Sequence, residues 1–92
     1  MENNYNIFRT LRIIRNLKAK ELAEMLETSP SNISLIEVGR HKPSKRLLRD
    51  YAKALGVTPE FIHNHEMMPS KRYEEYLFMV LSDVLEFEKT AK

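Results

Sequence analysis

Apolar residues recur at steps of three and four along most of the chain, the spacing of one face of a helix. Phe8, Leu11 and Ile14, with Ile7 beside them, predict a first helix over residues 5–15. Asn16 follows, a residue that tolerates the left-handed backbone closing a helix, and Leu17 anchors the turn. A short second helix over 19–26 turns Leu22, Ala23 and Leu26 inward and Lys20, Glu21 and Glu24 to water. Ser29-Pro30 is a helix start, because serine caps and proline lacks only an N–H that would be unpaired there anyway. The third helix, 30–38, buries Ile33 and Ile36, exposes Ser31, Asn32, Ser34 and Leu35, and ends at Gly39. A basic loop, RHKPS, brings Ser44 to cap a fourth helix over 45–55, with Leu48, Ala52 and Leu55 inward, Tyr51 alongside, and Gly56 to close it. Thr58 caps and Pro59 opens a short helix, PEFIHNH, burying Phe61 and Ile62.

After Met67-Met68-Pro69 the pattern begins anew, with Ser70 placed to cap it. Tyr73, Leu77, Val80, Val84 and Phe87 form a heptad-like seam, widened by Tyr76, Leu81 and Leu85, with Phe78 and Met79 to one side. That surface is broader than one contact needs. One part is expected to pack on the preceding helices near Ile13. The rest, counted over Tyr73, Leu77, Val80, Leu81, Val84 and Phe87, is expected to meet a second copy of the chain. The alternative is a helix that only completes a monomeric core. The organisation read from the pattern is thus an all-α chain: a five-helix unit, 1–66, followed by one longer amphipathic helix within 67–92.

Composition agrees and adds little. Ninety-two residues suit one small domain with a modest core, and no cysteine is present to supplement it by a disulfide or thiolate zinc site. Oligomerisation is the remaining common supplement. The N-terminal MENNYNIFRT lacks the basic-then-apolar order of a signal peptide, and the longest apolar run, 77–81, is far too short for a bilayer. A cytoplasmic protein with no membrane partner is expected. Charge changes the picture more. Residues 1–63 hold eleven Lys/Arg against seven Asp/Glu, whereas residues 64–92 hold four against six. A basic front and an acidic back point to an anionic partner for the front half.

Two helices joined by a tight turn, the second opened by Ser-Pro, follow the helix-turn-helix plan. The stretch ELAEMLETSPSNISLIEVGRHKPS, preceded by FRTLRIIRNL and followed by LLRDYAKALGVTPEFI, resembles the phage repressor/Cro-type (Xre-like) helix-turn-helix family from Phe8 to Ile62. That resemblance implies a third helix lying in the major groove of double-stranded DNA. Pro30, Ser31, Asn32 and Leu35 then occupy base-reading positions, and Ser29, Ser34, Arg40, His41 and Lys42 contact the backbone. Arg12 and Glu37 match positions that form an internal ion pair between the first and third helices. The sequence also departs from the family: Ala19 stands where glutamine often touches DNA, and Glu27 where the turn often has glycine. A left-handed Glu27 would be strained by about 1 kcal/mol or more, unless the turn takes another shape. Among the reading residues Asn32 has the chemistry to pair with adenine, and Pro30 and Leu35 suit thymine methyl groups, so an A/T-containing half-site is expected.

His63-Asn64-His65 with Glu66 is a weak metal pattern and reads as a solvated helix end. No nucleophile with a base, phosphate loop or paired carboxylates stands out, so neither enzyme activity, a small-molecule substrate nor a cofactor is expected. The leading function is a sequence-specific transcriptional regulator, expected to repress as a homodimer on a pseudo-palindromic operator. With no room for an effector or self-cleavage domain in these residues, its control is expected from concentration, a second regulatory protein or competition at the operator. The alternative is a helix-turn-helix module whose main partner is another protein, as an antitoxin or antirepressor. The apolar Ala19, Pro30 and Leu35 favour that reading, and the basic loop favours DNA.

Overall fold

The computed structural model describes residues 6–66 and 72–90. Within them the chain forms six helices and no strand: α1 (Ile7–Ile14), α2 (Ala19–Met25), α3 (Pro30–Glu37), α4 (Lys45–Leu55), α5 (Pro59–Glu66) and α6 (Tyr73–Thr90). Tyr5, Met67-Met68-Pro69 and Ser70, given roles above, lie outside the described residues. No described helix is long and apolar enough to cross a membrane.

Local chemistry sets most boundaries. Ser29, Ser44 and Thr58 each accept, through the side-chain oxygen, an N–H three residues ahead: Asn32, Leu47 and Phe61, all at 3.1 Å. Asn6 caps α1, which opens at Ile7. Its Oδ1 accepts from the N–H groups of Phe8 (2.8 Å) and Arg9 (3.2 Å), and its Nδ2 donates to the Ile36 carbonyl, pinning the start of α1 to the end of α3. At the head of α2 the Glu21 carboxylate accepts from the Lys18 N–H at 2.7 Å. Asn16 (φ 59°) and Gly56 (φ 76°) supply the left-handed backbone that ends α1 and α4.

One core joins all six helices. Ile7, Phe8 and Leu11 of α1 meet Leu22, Ala23, Ile33 and Ile36 of α2 and α3, then Tyr51, Ala52, Leu55 and Ile62. Tyr51, read from sequence as lying beside the stripe, is fully buried and tilts against Phe8 with ring centroids 4.8 Å apart.

The last helix corrects the seam. Val80 is 0% and Val84 1% exposed, so both, with Tyr76, belong to the chain's own core and are closed to any partner. Phe87 sits edge-on to Phe61 at 5.7 Å, again within the chain, and Tyr73 and Leu77 are half-buried. What faces solvent is the other flank: Phe78 (70% exposed), Leu81 (40%) and Leu85 (55%). The helix had apolar residues enough for two faces, and the five-helix unit took Val80, Val84 and Phe87 from the set that sequence reading had assigned to a second copy, leaving Leu81 of that set exposed. Ile13, expected beneath α6, remains 41% exposed.

Three polar joints hold the bundle in register. Arg15, the residue that closes α1, donates from Nε to the Leu55 carbonyl (2.8 Å) and pairs through Nη1 with Glu88 on α6 (2.6 Å), so one guanidinium serves the end of α4 and the tail of α6. His65 is buried, contrary to the solvated helix end read from HNH. It faces the Phe61 carbonyl through Nδ1 (2.7 Å) and the Asp83 carboxylate through Nε2 (2.9 Å), and stacks on Phe61 at 4.1 Å. The Tyr76 hydroxyl donates to the His65 carbonyl at 3.2 Å, and burial pushes that phenol above its ordinary value, with Glu66 and Tyr73 adding to the shift. Arg12 and Glu37 form the third joint.

Candidate nucleic-acid interface

The turn between α2 and α3 decides how α3 is presented. Leu26 and Glu27 leave the helix, Glu27 adopts φ 55°, and the Thr28 N–H returns to the Ala23 carbonyl at 2.9 Å. Of the two possibilities open to this turn, the chain takes the left-handed one without glycine. Ser29 then caps and Pro30 opens α3.

Packing orients that helix. Ile33 (0% exposed) and Ile36 (1%) bind its inner face to the core. The Glu37 carboxylate is drawn inward by Arg12 through two bonds, Nε to Oε2 at 2.6 Å and Nη2 to Oε1 at 3.0 Å. Arg12 Nη1 also donates to the Leu17 carbonyl at 2.8 Å. The hydrogen bonds to Glu37 lead in raising the Arg12 guanidinium above its ordinary value, against burial, which lowers it. A carboxylate so held is turned away from the outer face, where it would repel phosphate.

Ser29, Pro30, Ser31, Ser34 and Leu35 are exposed along the outer face of α3, and Val38, just beyond it, is 51% exposed. Gly39 (φ 83°) reverses the chain, and the N–H groups of Arg40 and His41 both return to the Leu35 carbonyl, at 2.9 and 3.2 Å. These bonds hold Arg40, His41 and Lys42, all exposed, beside the C-terminal end of the same helix. The His41–Asn32 contact at 3.1 Å brings this basic loop back alongside the first turn of α3, whose dipole end is positive, an arrangement suited to an anionic rod.

Asn32 differs from the expectation. It is half-buried, and both ends of its amide are occupied: Nδ2 donates to Thr28 Oγ1 (3.0 Å), while Oδ1 lies 3.1 Å from His41 Nδ1. The best hydrogen-bond reader in the helix is thus engaged within the protein. Sequence reasoning missed this because Thr28 and His41 lie on opposite sides of Asn32 in the chain, and only the reversal at Gly39 brings the ring back.

The helix-turn-helix family profile matches residues 8–62, well over half of the chain. Over 92 aligned residues the chain is 33% identical to an uncharacterized HTH-type transcriptional regulator of Archaeoglobus fulgidus. The alignment covers 99% of this chain and 40% of that protein, so the chain spans less than half of its relative's length. No solved structure matches. Matched residues run from the first core aromatic to the last core isoleucine of α5, and they include the turn, the outward helix and the basic loop described here. The chain belongs to the Xre/Cro-like helix-turn-helix family.

Proposed function

We propose that the chain is a sequence-specific DNA-binding regulator of transcription, repressing by occupying a pseudo-palindromic operator as a homodimer. One observation carries this reading: the outer face of α3 is open to solvent and continuous with the rim of Arg40, His41 and Lys42. Pro30, Ser31 and Leu35 meet base edges, with Pro30 and Leu35 against thymine methyls. Asn32, tied as it is, serves the edge indirectly. Ser29, Ser34 and the basic rim take phosphates. The printed description of the archaeal relative as a transcriptional regulator supports the same reading.

The second copy docks on the free flank of α6, where Phe78, Leu81 and Leu85 fall on one stripe. Two such protomers place two α3 helices on successive half-sites, and the linked second contact offsets the weakness of a short, weakly polar reading face.

Selection of sites from random duplex DNA, followed by binding across a salt series, tests the function. Enrichment of paired A/T-containing half-sites about one helical turn apart is the expected result. Solution mass tests the assembly: wild type at twice the chain mass, and Phe78→Glu/Leu85→Glu at the chain mass with helicity retained. A monomeric wild type would refute the homodimer. A second reading, a module that grips another protein as an antitoxin or antirepressor, draws on the exposed Leu35 and Val38, which give the rim an apolar patch. Failure to enrich any sequence, with no binding even at low salt, would favour that reading over the first.

A further inference from the structure

We propose that two copies of the chain join through α6 as an antiparallel pair, with the twofold axis between Leu81 and Ser82, and that Glu74 and Lys89 fix that direction. The inference rests on the homodimer reading of this flank and deepens it by supplying the direction and register of pairing. Successive residues of a helix turn by about 100°, so Glu74, Phe78, Leu81, Ser82, Leu85 and Lys89 fall within about 50° of one line along α6. All six are exposed, and that line runs opposite Tyr76, Val80 and Val84, which seat the helix in the core.

The stripe is symmetric about its centre. Phe78 and Leu85 lie equally far from the point between Leu81 and Ser82, and so do Glu74 and Lys89. That point is also the centre of the helix itself, Tyr73–Thr90. A second α6 laid antiparallel in this register therefore overlaps the first along its whole length, about 27 Å at 1.5 Å per residue. Phe78 of each copy then packs on Leu85 of the other, and Leu81 packs across the axis.

Charge selects the direction. Antiparallel pairing sets Glu74 against the second copy's Lys89 at both ends of the seam. Parallel pairing sets Glu74 against Glu74 and Lys89 against Lys89, and charges flanking an apolar seam decide which orientation stands. Neither residue takes part in an ion pair among the described residues, whereas Glu88, next to Lys89, is already held by Arg15. The five-helix unit offers no comparable seat for a partner's α6. Leu35 and Val38 stand at the DNA rim, and α1 and α2 expose one large apolar residue each, Ile13 and Met25.

The chain has no cysteine, so an introduced one is its only thiol. Full-length Glu74→Cys, Lys89→Cys and an equimolar mixture of the two are equilibrated in a glutathione buffer, and disulfide-linked dimer is quantified. Antiparallel pairing brings position 74 of one copy to position 89 of the other, but leaves the two 74 positions about 22 Å apart, fifteen steps along the helix. A disulfide needs Cα atoms within about 7 Å, so the mixture is expected to link at least about fivefold more than either variant alone. Charge reversal supplies a second measure. Glu74→Lys and Lys89→Glu each set like charges at both ends, and each is expected to weaken dimerisation in sedimentation by about three- to tenfold. Glu74→Lys/Lys89→Glu restores opposite pairs and is expected to return close to the wild-type constant. Loss of favourable helix-end charges alone would instead make the double variant the weakest of the three.

Self-linkage of Glu74→Cys overturns the proposal, and so does a mixture that links no better than its components. A double variant weaker than both single ones, with helicity and thermal midpoint retained, overturns it as well. If the charge variants fail to fold, cysteine linkage decides the matter. A wild type at the chain mass at every concentration sinks the homodimer and this inference with it. A wild-type dimer without linkage between positions 74 and 89 sinks this inference alone.

Discussion

Glu27 holds a left-handed backbone in the turn that aims α3, and it does so with a side chain that turn does not favour. Relief of that strain in Glu27→Gly, partly offset by the greater freedom of glycine when unfolded, is expected to stabilise the chain by up to about 1 kcal/mol. The midpoint of urea unfolding reads it, and a lower midpoint would mean the Glu27 side chain contributes contacts of its own. Tyr51 is the converse case, a buried residue whose hydroxyl makes no hydrogen bond among the described residues. An unpartnered buried hydroxyl costs about 1–3 kcal/mol, so Tyr51→Phe should leave stability unchanged or raise it. Burial first, and then the Glu37 charge, push the Tyr51 phenol above its ordinary value, while Arg12 opposes them. A phenol raised on folding keeps its full contribution below the unfolded value of about 10 and loses it as pH climbs toward the folded value. Stability should therefore fall above about pH 10, and fall less in Tyr51→Phe. Unfolding curves in alkaline buffers compare the two, and an identical slope would remove Tyr51 as a source of the dependence.

Helices are tied at their ends more than along their lengths. Gly56 shows this best. Its φ of 76° suits glycine, and a Cβ placed there would meet Arg15 Nη2 at 2.8 Å. Gly56→Ala thus combines backbone strain with displacement of the guanidinium that holds the end of α4 and the tail of α6. A loss of about 2 kcal/mol is expected in thermal or urea unfolding. A loss below about 0.5 kcal/mol would mean that Arg15 moves aside freely. The α5–α6 joint, His65 with Asp83, ties the end of α5 to the middle of α6 through a pair whose members stand eighteen positions apart.

The described helices share one core, α6 included. Val80 and Val84 lie in the same core as Leu11 and Ile62. Val84→Ala should then cost about 1–3 kcal/mol of global stability, and hydrogen exchange should quicken in α1 and α5 as well as in α6. Faster exchange confined to α6, with the melting midpoint unmoved, would show the last helix to be an independent attachment. Charge is distributed at this scale too. The basic excess lies in residues 1–63 with the outward helix, and the acidic excess lies in the part that contains α6.

The amino-acid pattern by itself determined whatever depends on neighbours within a few residues. Ser29, Ser44 and Thr58 cap because each oxygen finds an N–H three positions on. Gly39 and Gly56 reverse the chain because they lack a Cβ, and the three-four spacing of Leu and Ile marked the inner faces. The order of those elements sufficed for the family, and with it the outward presentation of α3. Tertiary structure alone decided which polar and apolar groups remained free for work. Asn32 carries adenine-pairing chemistry in any sequence, but a ring nine positions later occupies its amide. His65 reads as a solvated end, yet a carboxylate on α6 takes it into the core. Val80 and Val84 suit a partner's surface as well as their own, and the five-helix unit reached them first. Such choices depend on long-range contacts. A one-dimensional pattern states what each side chain is able to bind, and only the folded chain states which partner is near enough to bind it.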